Sequence, residues 1–549
     1  MHMHTLARVG WAGMAGLLLA GPAFATTRFV NVSNAAPAAP FTNWSMAATN
    51  IQAAIDAAAS GEEVLVAPGI YYHRYSEVNI PAGKTLTLRS TQSRAAIIDA
   101  QGLSRGILVE GAGSVVEGFT VRNGSVLPDW AGGGVLLSTN SVVQDCLLTG
   151  NAAHSGGGIY ALPGAVVRDC LIVGNQARNA GGGALLHAGA WIQNCSIASN
   201  TATHGGGIEL YEAGTATDCL IEGNTASTMG GGVVFYSGTT GLVRNCVIRN
   251  NAVTNTGGNG GGVNIQHAGT VSNCWISGNS ATATNGNGGG VYMNNSGLSV
   301  SGRLVNVVLN GNWAGERGGG VYSVGPNGTL ASVINCTIVS NAAGVEGGGV
   351  QPHTTRMVND IIYFNTAPTN ANLTPDGTDS IVSNCCTTSN YFWPNITNAP
   401  AFVNAAAGDF RLATASFCID AGTTNAAPRS DIEGNPRPRR GVPGMGSTNC
   451  DMGAYEYGFH FNSIRTASSN AIRLQWDVQD AGRYRVDVAT NAGSHPLAPT
   501  WSSVTVYTQA TIIGQGQYAV YTTTVTNPVP PMPDHALFRL RVDRATLGK

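Results

Sequence analysis

A short pattern of apolar and polar positions repeats along the middle of the chain. In its clearest copy, Asp169-Cys170-Leu171-Ile172-Val173-Gly174-Asn175 is followed by five link residues and by Gly181-Gly182-Gly183, which opens an apolar strand. Successive copies are 24 or 25 residues apart at first and 28 to 30 residues apart later, a period typical of a solenoid. The nine glycine triplets begin at Gly132, Gly156, Gly181, Gly205, Gly230, Gly260, Gly288, Gly318 and Gly347.

The strand before each link has a fixed length and an apolar face. In nine copies Ile or Leu precedes an Asn by three positions, and two positions before the Ile or Leu there is usually a Cys. Because side chains alternate along a strand, Cys and Ile share its inward face. The variable spacing falls in the links, which are therefore the loops of the repeat.

The position before the Cys is occupied by Asn or Asp in every copy. These residue types tolerate left-handed backbone, so the column predicts one sharp bend per turn of the solenoid. With an Asn corner and a glycine corner, each turn would contain about three short strands. The column consists of Asp145, Asp169, Asn194, Asp218, Asn245, Asn273, Asn306, Asn335 and Asn359.

The start of the chain is typical of a secretory signal peptide in residues 1–25. A mildly positive start, a short apolar stretch and Ala23-Phe24-Ala25 predict export with cleavage near Ala25; an N-terminal membrane anchor is the alternative. No later run reaches the roughly 18 apolar residues of a membrane span. In residues 26–114, apolar spacing from Asn43 to Ser60 predicts a helix that covers the first turns, with Asn43 as N-cap.

The chain changes character after the regular repeats of residues 115–365. Residues 366–457 lack the repeat and form a separate region of the chain. Residues 458–549 contain segments that alternate like antiparallel strands, such as Ile472–Trp476 and Leu537–Val542, and predict a small β-sandwich.

These motifs resemble known families. The repeat is similar to the pectate-lyase-like, right-handed parallel β-helix superfamily (the pectin lyase-like solenoid), and the alternation of Gly-Gly-Gly with Ile-x-x-Asn resembles polymorphic outer-membrane-protein adhesins. The motifs around Gly408-Asp409-Phe410-Arg411-Leu412 and Asp451-Met452-Gly453-Ala454-Tyr455-Glu456 resemble the choice-of-anchor Q domain, which implies a cap on a cell-surface β-helix protein. The expected fold class is all-β, with a short N-terminal helix. The superfamily contains both enzymes and adhesins, so the fold does not select an activity.

The amino-acid composition of the chain narrows the classes of partner that it is expected to bind. Charged residues make up 11% of the 549 residues and the formal net charge is −2, without a long basic run. We therefore expect neither nucleic acid nor an anionic membrane as a partner, and neutral ligands or surfaces fit better.

The eleven cysteines fall into two groups. Seven form the inward column, where we expect buried free thiols, because side chains that point in parallel rarely give a disulfide torsion. The other four lie in the irregular cap, and there we predict one disulfide between Cys418 and Cys450, in which Cys385 and Cys386 could also take part. The column consists of Cys146, Cys170, Cys195, Cys219, Cys246, Cys274 and Cys336.

The strand after each glycine triplet carries the candidate chemistry. Its first and third positions are mainly apolar, so its second and fourth positions should face solvent. Aromatic rings and hydrogen-bonding groups there would suit a glycan; an ordinary solvated sheet is the competing interpretation. These outward residues are Tyr160, His187, Glu209, Tyr211, Tyr236, Asn264, Gln266, Tyr292, Asn294, Tyr322, Gln351 and His353.

Catalytic and metal-binding signals are weak. Glu209 with His187 one turn earlier is the only plausible acid/base pair of the outward positions. Asp420, Asp431 and Asp451 are candidate Ca²⁺ ligands, although a hydrogen-bonded structural role fits better than a metal site, and we expect no cofactor.

The sequence therefore predicts a secreted or cell-surface protein that recognises a polysaccharide or surface component without catalysis. One alternative is a polysaccharide lyase or glycoside hydrolase that acts on a uronate-rich glycan along the same face. The other is a structural spacer of the cell envelope.

Overall fold

The computed structural model describes residues 26–73, 76–236, 241–294, 301–325, 330–375, 380–388, 394–438 and 449–457, and the backbone of six strands between 460 and 543. The predicted signal peptide lies outside the described residues. No helix in the described part of the chain is long and apolar enough to cross a membrane.

The repeats form a solenoid of four parallel sheets, numbered here in the order in which the chain visits them. Sheet 1 contains fourteen strands: Thr27–Val30, Glu63–Val66, Thr87–Ser90, Val115–Glu117, Val142–Gln144, Val166–Arg168, Trp191–Gln193, Thr215–Thr217, Gly241–Arg244, Gly269–Ser272, Gly302–Val305, Ala331–Ile334, Thr355–Val358 and Ile381–Ser383. Sheet 2 contains thirteen strands: Gly69–Tyr72, Ala96–Asp99, Phe119–Arg122, Leu147–Thr149, Leu171–Val173, Ser196–Ala198, Leu220–Glu222, Val247–Arg249, Trp275–Ser277, Val308–Asn310, Thr337–Val339, Ile361–Tyr363 and Cys386–Thr387.

The other two sheets follow the Asn corner. Sheet 3 contains eight strands: Ala152–Ser155, Gln176–Ala180, Thr201–His204, Thr225–Met229, Ala252–Val253, Ser280–Ala281, Trp313–Ala314 and Ala342–Ala343. Sheet 4 contains eleven strands: Val78–Ile80, Ile107–Val109, Val135–Leu137, Ile159–Ala161, Ala184–Leu186, Ile208–Leu210, Val233–Phe235, Val263–Ile265, Val291–Asn294, Val321–Val324 and Val350–Gln351.

Sheet 3 is a face that the sequence pattern did not predict. We expected about three strands per turn, and the structure has four, because the link residues also pair with the next turn. The links vary in length and lack clear alternation, and their ladder contains register shifts, for example between Ala202 and His204. Sheets 1 and 2 also continue one strand beyond residue 365.

The inward face is a continuous apolar core. The predicted cysteine column is buried and every one of these thiols is free, as expected. Ile172 pairs in register with Leu148 and Ile197, so equivalent side chains stack along the solenoid. The first and third positions after the glycine triplets, such as Val233 and Phe235, are also buried.

Two polar columns fix the corners. Residues of the Asn/Asp column have φ near +50° to +61°, which confirms the left-handed bend. The corner asparagines form a buried ladder, in which Asn200 Nδ2 donates to Asn224 Oδ1 at 2.9 Å and to Ile172 O at 2.9 Å. Each amide thus satisfies the polar groups of a turn that is closed to water.

Helical structure covers the first turns, in two pieces rather than one. Asn43 caps a 3₁₀ turn at Trp44–Met46, and Asn50 caps an α-helix at Ile51–Ala57. The break arises because the extended Ala48 pairs with Val30 of sheet 1. The helix buries Ile51 and Ile55 against the apolar core.

The cap region packs along the side of sheet 2. Phe410 stacks on Trp275 at 5.9 Å between ring centroids and contacts a cluster that includes Val308 and Val339. Three bend asparagines donate to its backbone: Asn306 to Ser430 O at 2.6 Å, Asn335 to Asp451 O at 3.0 Å and Asn359 to Thr423 O at 2.8 Å. A two-stranded antiparallel sheet, Phe402–Asn404 with Asp409–Leu412, and a 3₁₀ turn at Ala405–Ala407 belong to this region.

The C-terminal strands are antiparallel, as the alternation predicted. They form two three-stranded sheets; the packing of these sheets as a sandwich stays a prediction. The strands are His460–Ser468, Ala471–Val478, Arg483–Ala489, Trp501–Gln509, Ala519–Thr526 and Leu537–Asp543.

Candidate functional site

The outward side chains of sheet 4 and a column of residues beside them form one strip of surface, which we call the groove. The residue before each glycine triplet pairs with its equivalent in the next turn, and this column, which we call the rim, stands beside the outward side chains of sheet 4. Asn259 of the rim accepts a hydrogen bond from Asn264 Nδ2 at 3.0 Å, within one turn of the solenoid. The rim consists of Ala131, Ser155, Ala180, His204, Met229, Asn259, Asn287, Arg317 and Glu346.

The first glycine of each triplet makes the rim possible. Gly205 has φ of +57°, and a Cβ at this position would lie 2.6 Å from the carbonyl oxygen of Ile208. Only glycine fits such a turn without strain. The tight reversal holds the rim residue next to the strand that follows it.

The rim changes the exposure of the outward positions. We expected all of them to face solvent, and this is wrong for Glu209, Asn264 and Gln351, which are 2%, 0% and 4% exposed. The rim and the neighbouring outward side chains cover them. Tyr236 is 38% exposed, and the remaining outward residues of the prediction are half-buried.

Five rings form a continuous series in the N-terminal half of the groove. His187 lies between Tyr160 and Tyr211, with ring centroids 5.0 Å and 5.2 Å away. Tyr211 stacks on Tyr236 at 6.3 Å, and Tyr236 stacks on His204 of the rim at 5.6 Å. We call these five residues the lower ring cluster.

Amides and a second set of rings continue the groove toward the C-terminal end. Gln266 Nε2 donates to Asn264 Oδ1 at 2.8 Å, and its Oε1 accepts from Asn294 Nδ2 at 3.2 Å. Tyr292 and Tyr322 then pair directly across neighbouring strands and stack at 5.5 Å, with His353 6.2 Å from Tyr322. We call these three rings the upper ring cluster. From Tyr160 to Gln351 the groove crosses eight strands, about 34 Å at the usual strand spacing of about 4.8 Å.

Glu209 is the unusual group in this groove. Its neighbours in the ladder are Leu185 and Val234, and its Oε2 is buried and has no hydrogen-bond partner among the described residues. Burial raises the pKa of Glu209 to about 8, so the carboxyl is mainly protonated at neutral pH. Burial also raises the pKa of Tyr160, and the negative charges of Tyr211 and Glu209 add to this effect.

Glu209 and His187 do not form the predicted acid/base pair by a hydrogen bond. His187 Nε2 lies 2.6 Å from the hydroxyl oxygen of Tyr160 instead. Burial lowers the pKa of His187, against a smaller opposing effect of Glu212, and burial also lowers the pKa of His204. Both imidazoles are therefore mainly neutral at pH 7.

The sequence interpretation missed the rim residues of the groove. His204 and Met229 contact Tyr236 and Gln266, each one turn further along the chain. The available signal was their fixed place immediately before a glycine triplet. The variable length of the links predicts loops instead, whereas in the structure the links form the strands of sheet 3.

The cap holds no disulfide, so the prediction of a Cys418–Cys450 bond is wrong. All eleven cysteines are free thiols. Cys418 lies in an apolar cluster with Cys386, whereas Cys450 Sγ contacts Thr423 O at 3.3 Å and accepts from Asn359 Nδ2 at 3.4 Å. The two thiols thus face different neighbours.

The cap carboxylates are engaged by backbone N–H groups. Asp431 Oδ1 accepts from the backbone of Glu433 and Asn435, and Asp451 Oδ1 accepts from the backbone of Asp420. Among the described residues, no group of three His, Cys, Asp or Glu side chains is placed to hold a metal ion. This arrangement gives Asp431 and Asp451 a structural role in holding the cap loops.

The comparison with protein families agrees with the four parallel sheets. The family model described as the right handed beta helix region matches residues 105–305. The central part of the chain is a right-handed β-helix. No curated protein matches the sequence significantly.

Solved structures with a similar chain path include polysaccharide-related proteins. Pectate lyase Pel9A is 16% identical, with a TM-score of 0.37 over 79% of this chain and 96% of that chain. The PL6 family alginate lyase AlyGC is 14% identical, with a TM-score of 0.38 over 64% of this chain and 53% of that chain. XylC, in complex with xylose, is 8% identical, with a TM-score of 0.38 over 79% of this chain and 98% of that chain. These likenesses concern the fold alone.

Proposed function

We propose that the chain is an exported, secreted or cell-surface protein that binds a polysaccharide or surface component along the groove of sheet 4, without cleaving it. The observation that carries this proposal is the succession of the lower ring cluster, the amides and the upper ring cluster on one face. Aromatic faces stack on sugar rings while amides bond to their hydroxyl groups. The export part of the proposal depends on residues 1–25.

Unpartnered polar atoms in the groove support a hydroxyl-rich ligand. Glu209 Oε2, Asn287 Oδ1 and Gln351 Oε1 are buried and have no hydrogen-bond partner among the described residues. Buried polar atoms without a partner are rare and costly. Hydroxyl groups of a bound sugar would supply the missing hydrogen bonds.

The distribution of carboxylates favours binding over hydrolysis. Glu209 is the only acid among the second and fourth positions after the nine glycine triplets, all of which are described. Glycoside hydrolysis usually needs two carboxylates on either side of the scissile bond. A lone, buried carboxyl on this face fits ligand recognition better.

Retention on immobilised glycans tests the proposal. Tyr211→Ala and Tyr322→Ala should each weaken retention about three- to tenfold, the value of one lost ring contact. Tyr72→Ala is the matched control, because Tyr72 is 57% exposed and belongs to sheet 2. Equal retention of the wild type and both groove variants would contradict a binding groove.

A depolymerisation assay separates the alternatives. Release of reducing or unsaturated sugar from a uronate-rich polysaccharide, abolished by Glu209→Gln, would identify an enzyme instead. A protein that retains no glycan and releases no sugar would be the structural spacer.

A further inference from the structure

We infer that Glu209 and the lower ring cluster form a subsite for a protonated amino group, so that the preferred glycan carries free amines, as in a de-N-acetylated hexosamine polymer. The inference rests on the proposed function and names the substrate class of the same groove. Such a glycan differs from the uronate-rich substrate of the enzyme alternative.

One carboxyl oxygen of Glu209 is buried without a hydrogen-bond partner among the described residues. The side chain is 2% exposed, yet Oε2 has no hydrogen bond within the described residues. Along the ladder it lies between the apolar Leu185 and Val234. A buried carboxyl in such surroundings is costly unless a partner from outside completes the site.

The side chains around Glu209 determine whether a negative charge on its carboxyl is compensated. The strands packed around Glu209 contribute Tyr160, His187 and Tyr211 from sheet 4, with Glu212 just beyond, and His204 from the rim. Burial keeps both imidazoles mainly neutral by lowering their pKa values. The remaining groups are Tyr236 and Arg178, which lies on an exposed position of Gln176–Ala180. No buried Lys or Arg of these described strands compensates the Glu209 carboxylate.

An ammonium group has the chemistry that fits this carboxyl and its neighbouring rings. An ammonium group offers three donors, pairs with a carboxylate and is attracted to aromatic faces. The lower ring cluster supplies such faces on the strands near Glu209. A sugar carboxylate would form no ion pair there and would meet a like charge whenever Glu209 is ionised.

Entry to Glu209 requires movement of a ring. Tyr236 is 38% exposed, and His187 and Tyr211 are half-buried, so all three retain contact with solvent. Side chains with solvent contact change rotamer rapidly. Because Glu209 is 2% exposed, the inferred subsite requires such a rotation to open a route, after which the amine binds both the carboxyl and the ring faces.

Calorimetry with matched tetramers of glucosamine, N-acetylglucosamine and galacturonate tests the inference. We expect the wild type to bind the glucosamine tetramer at least about tenfold more tightly than the other two. Glu209→Gln should lose most of this preference while it still binds the N-acetylated tetramer through the rings. Tyr72→Ala should behave as the wild type.

Proton exchange gives an independent readout. Because the pKa of Glu209 is about 8, the carboxyl must release a proton to pair with an ammonium group at pH 7. Titrations with the glucosamine tetramer in two buffers of different ionisation enthalpy should show that the wild type releases more protons than Glu209→Gln. Thermal melting confirms that the variant is folded.

The outcomes are distinguishable. If no tetramer binds, the proposed groove function fails. If the glucosamine tetramer binds equally to both proteins with no difference in protons released, the groove stands and the amine subsite is wrong. Preference for galacturonate would also overturn the inference.

Discussion

The imidazole Nε2 of His187 lies 2.6 Å from the hydroxyl oxygen of Tyr160, one strand earlier in sheet 4. This contact engages His187 with a phenol rather than with the carboxyl of Glu209. As a result, Glu209 keeps a buried oxygen without a partner, and its ionisation is opposed by burial alone. Because Glu209 ionises at a higher pH in the folded protein than in the unfolded chain, the stability of the protein depends on pH.

Stability should fall as the pH rises from about 4.5 to about 8. The pKa of Glu209 is raised from 4.5 to about 8 in the folded protein, so in this window the folded state holds a proton that the unfolded state has lost. Stability from this group is complete below the unfolded pKa and is lost as pH passes the folded pKa. Each pKa unit is worth about 1.4 kcal/mol.

The advantage of Glu209→Gln over the wild type should therefore grow by roughly 2 to 4 kcal/mol between pH 4.5 and pH 8.5. Urea unfolding of both proteins at the two pH values measures this difference. Other titrating groups, such as Asp451, whose pKa burial raises to about 7, are common to both proteins and cancel. A constant difference would show that Glu209 is ionised in the folded state.

Asn224→Ala should destabilise the solenoid by about 2 to 4 kcal/mol. The Asn224 amide donates to Ile197 O and Asn251 Oδ1 and accepts from the backbone and side chain of Asn200. Its removal leaves several buried polar groups unpaired. The exposed Asn255→Ala is the control and should change the free energy of unfolding by less than about 0.5 kcal/mol. Equal effects would mean that the ladder adds little.

Ser199→Gly should stabilise the protein by about 0.5 to 1 kcal/mol. Ser199 is exposed and has φ of +55°, at the corner where Gly174 and Gly223 stand in neighbouring turns. A residue with a Cβ is strained in this conformation and glycine is not. The reverse change, Gly223→Ser, should cost a similar amount. Thermal melting of both variants checks the sign, and a loss of stability in Ser199→Gly would be against this explanation.

Thiol titration should find eleven free cysteines and no disulfide. In native protein the reagent should react with almost none of them, because all eleven are buried. Burial raises the pKa of Cys146, Cys336 and Cys385, which suppresses the reactive thiolate further. In denaturant without reductant, all eleven should react. A count of nine would restore a disulfide in the cap.

The regular elements of the solenoid were predictable because their signals are local. Asn and Asp tolerate left-handed backbone, so their column predicts the bends. Alternation along the strand predicts that the cysteines face inward. The cap was less predictable. Its docking joins residues far apart in sequence, such as Asn335 to Asp451 and Trp275 to Phe410, and no local pattern encodes such pairs.

The sequence by itself determined a parallel solenoid, the inward face of its strands and a series of outward rings and amides, because strand alternation and glycine spacing act within one turn. Only the tertiary structure decided which outward groups are buried. The rim of sheet 3 arises from pairing between turns, and it places His204 and Met229 beside sheet 4. Glu209 is a buried, unpartnered carboxyl only in the folded solenoid, since its burial depends on neighbours from other turns, such as Leu185 and Val234, and not on its own position in the repeat.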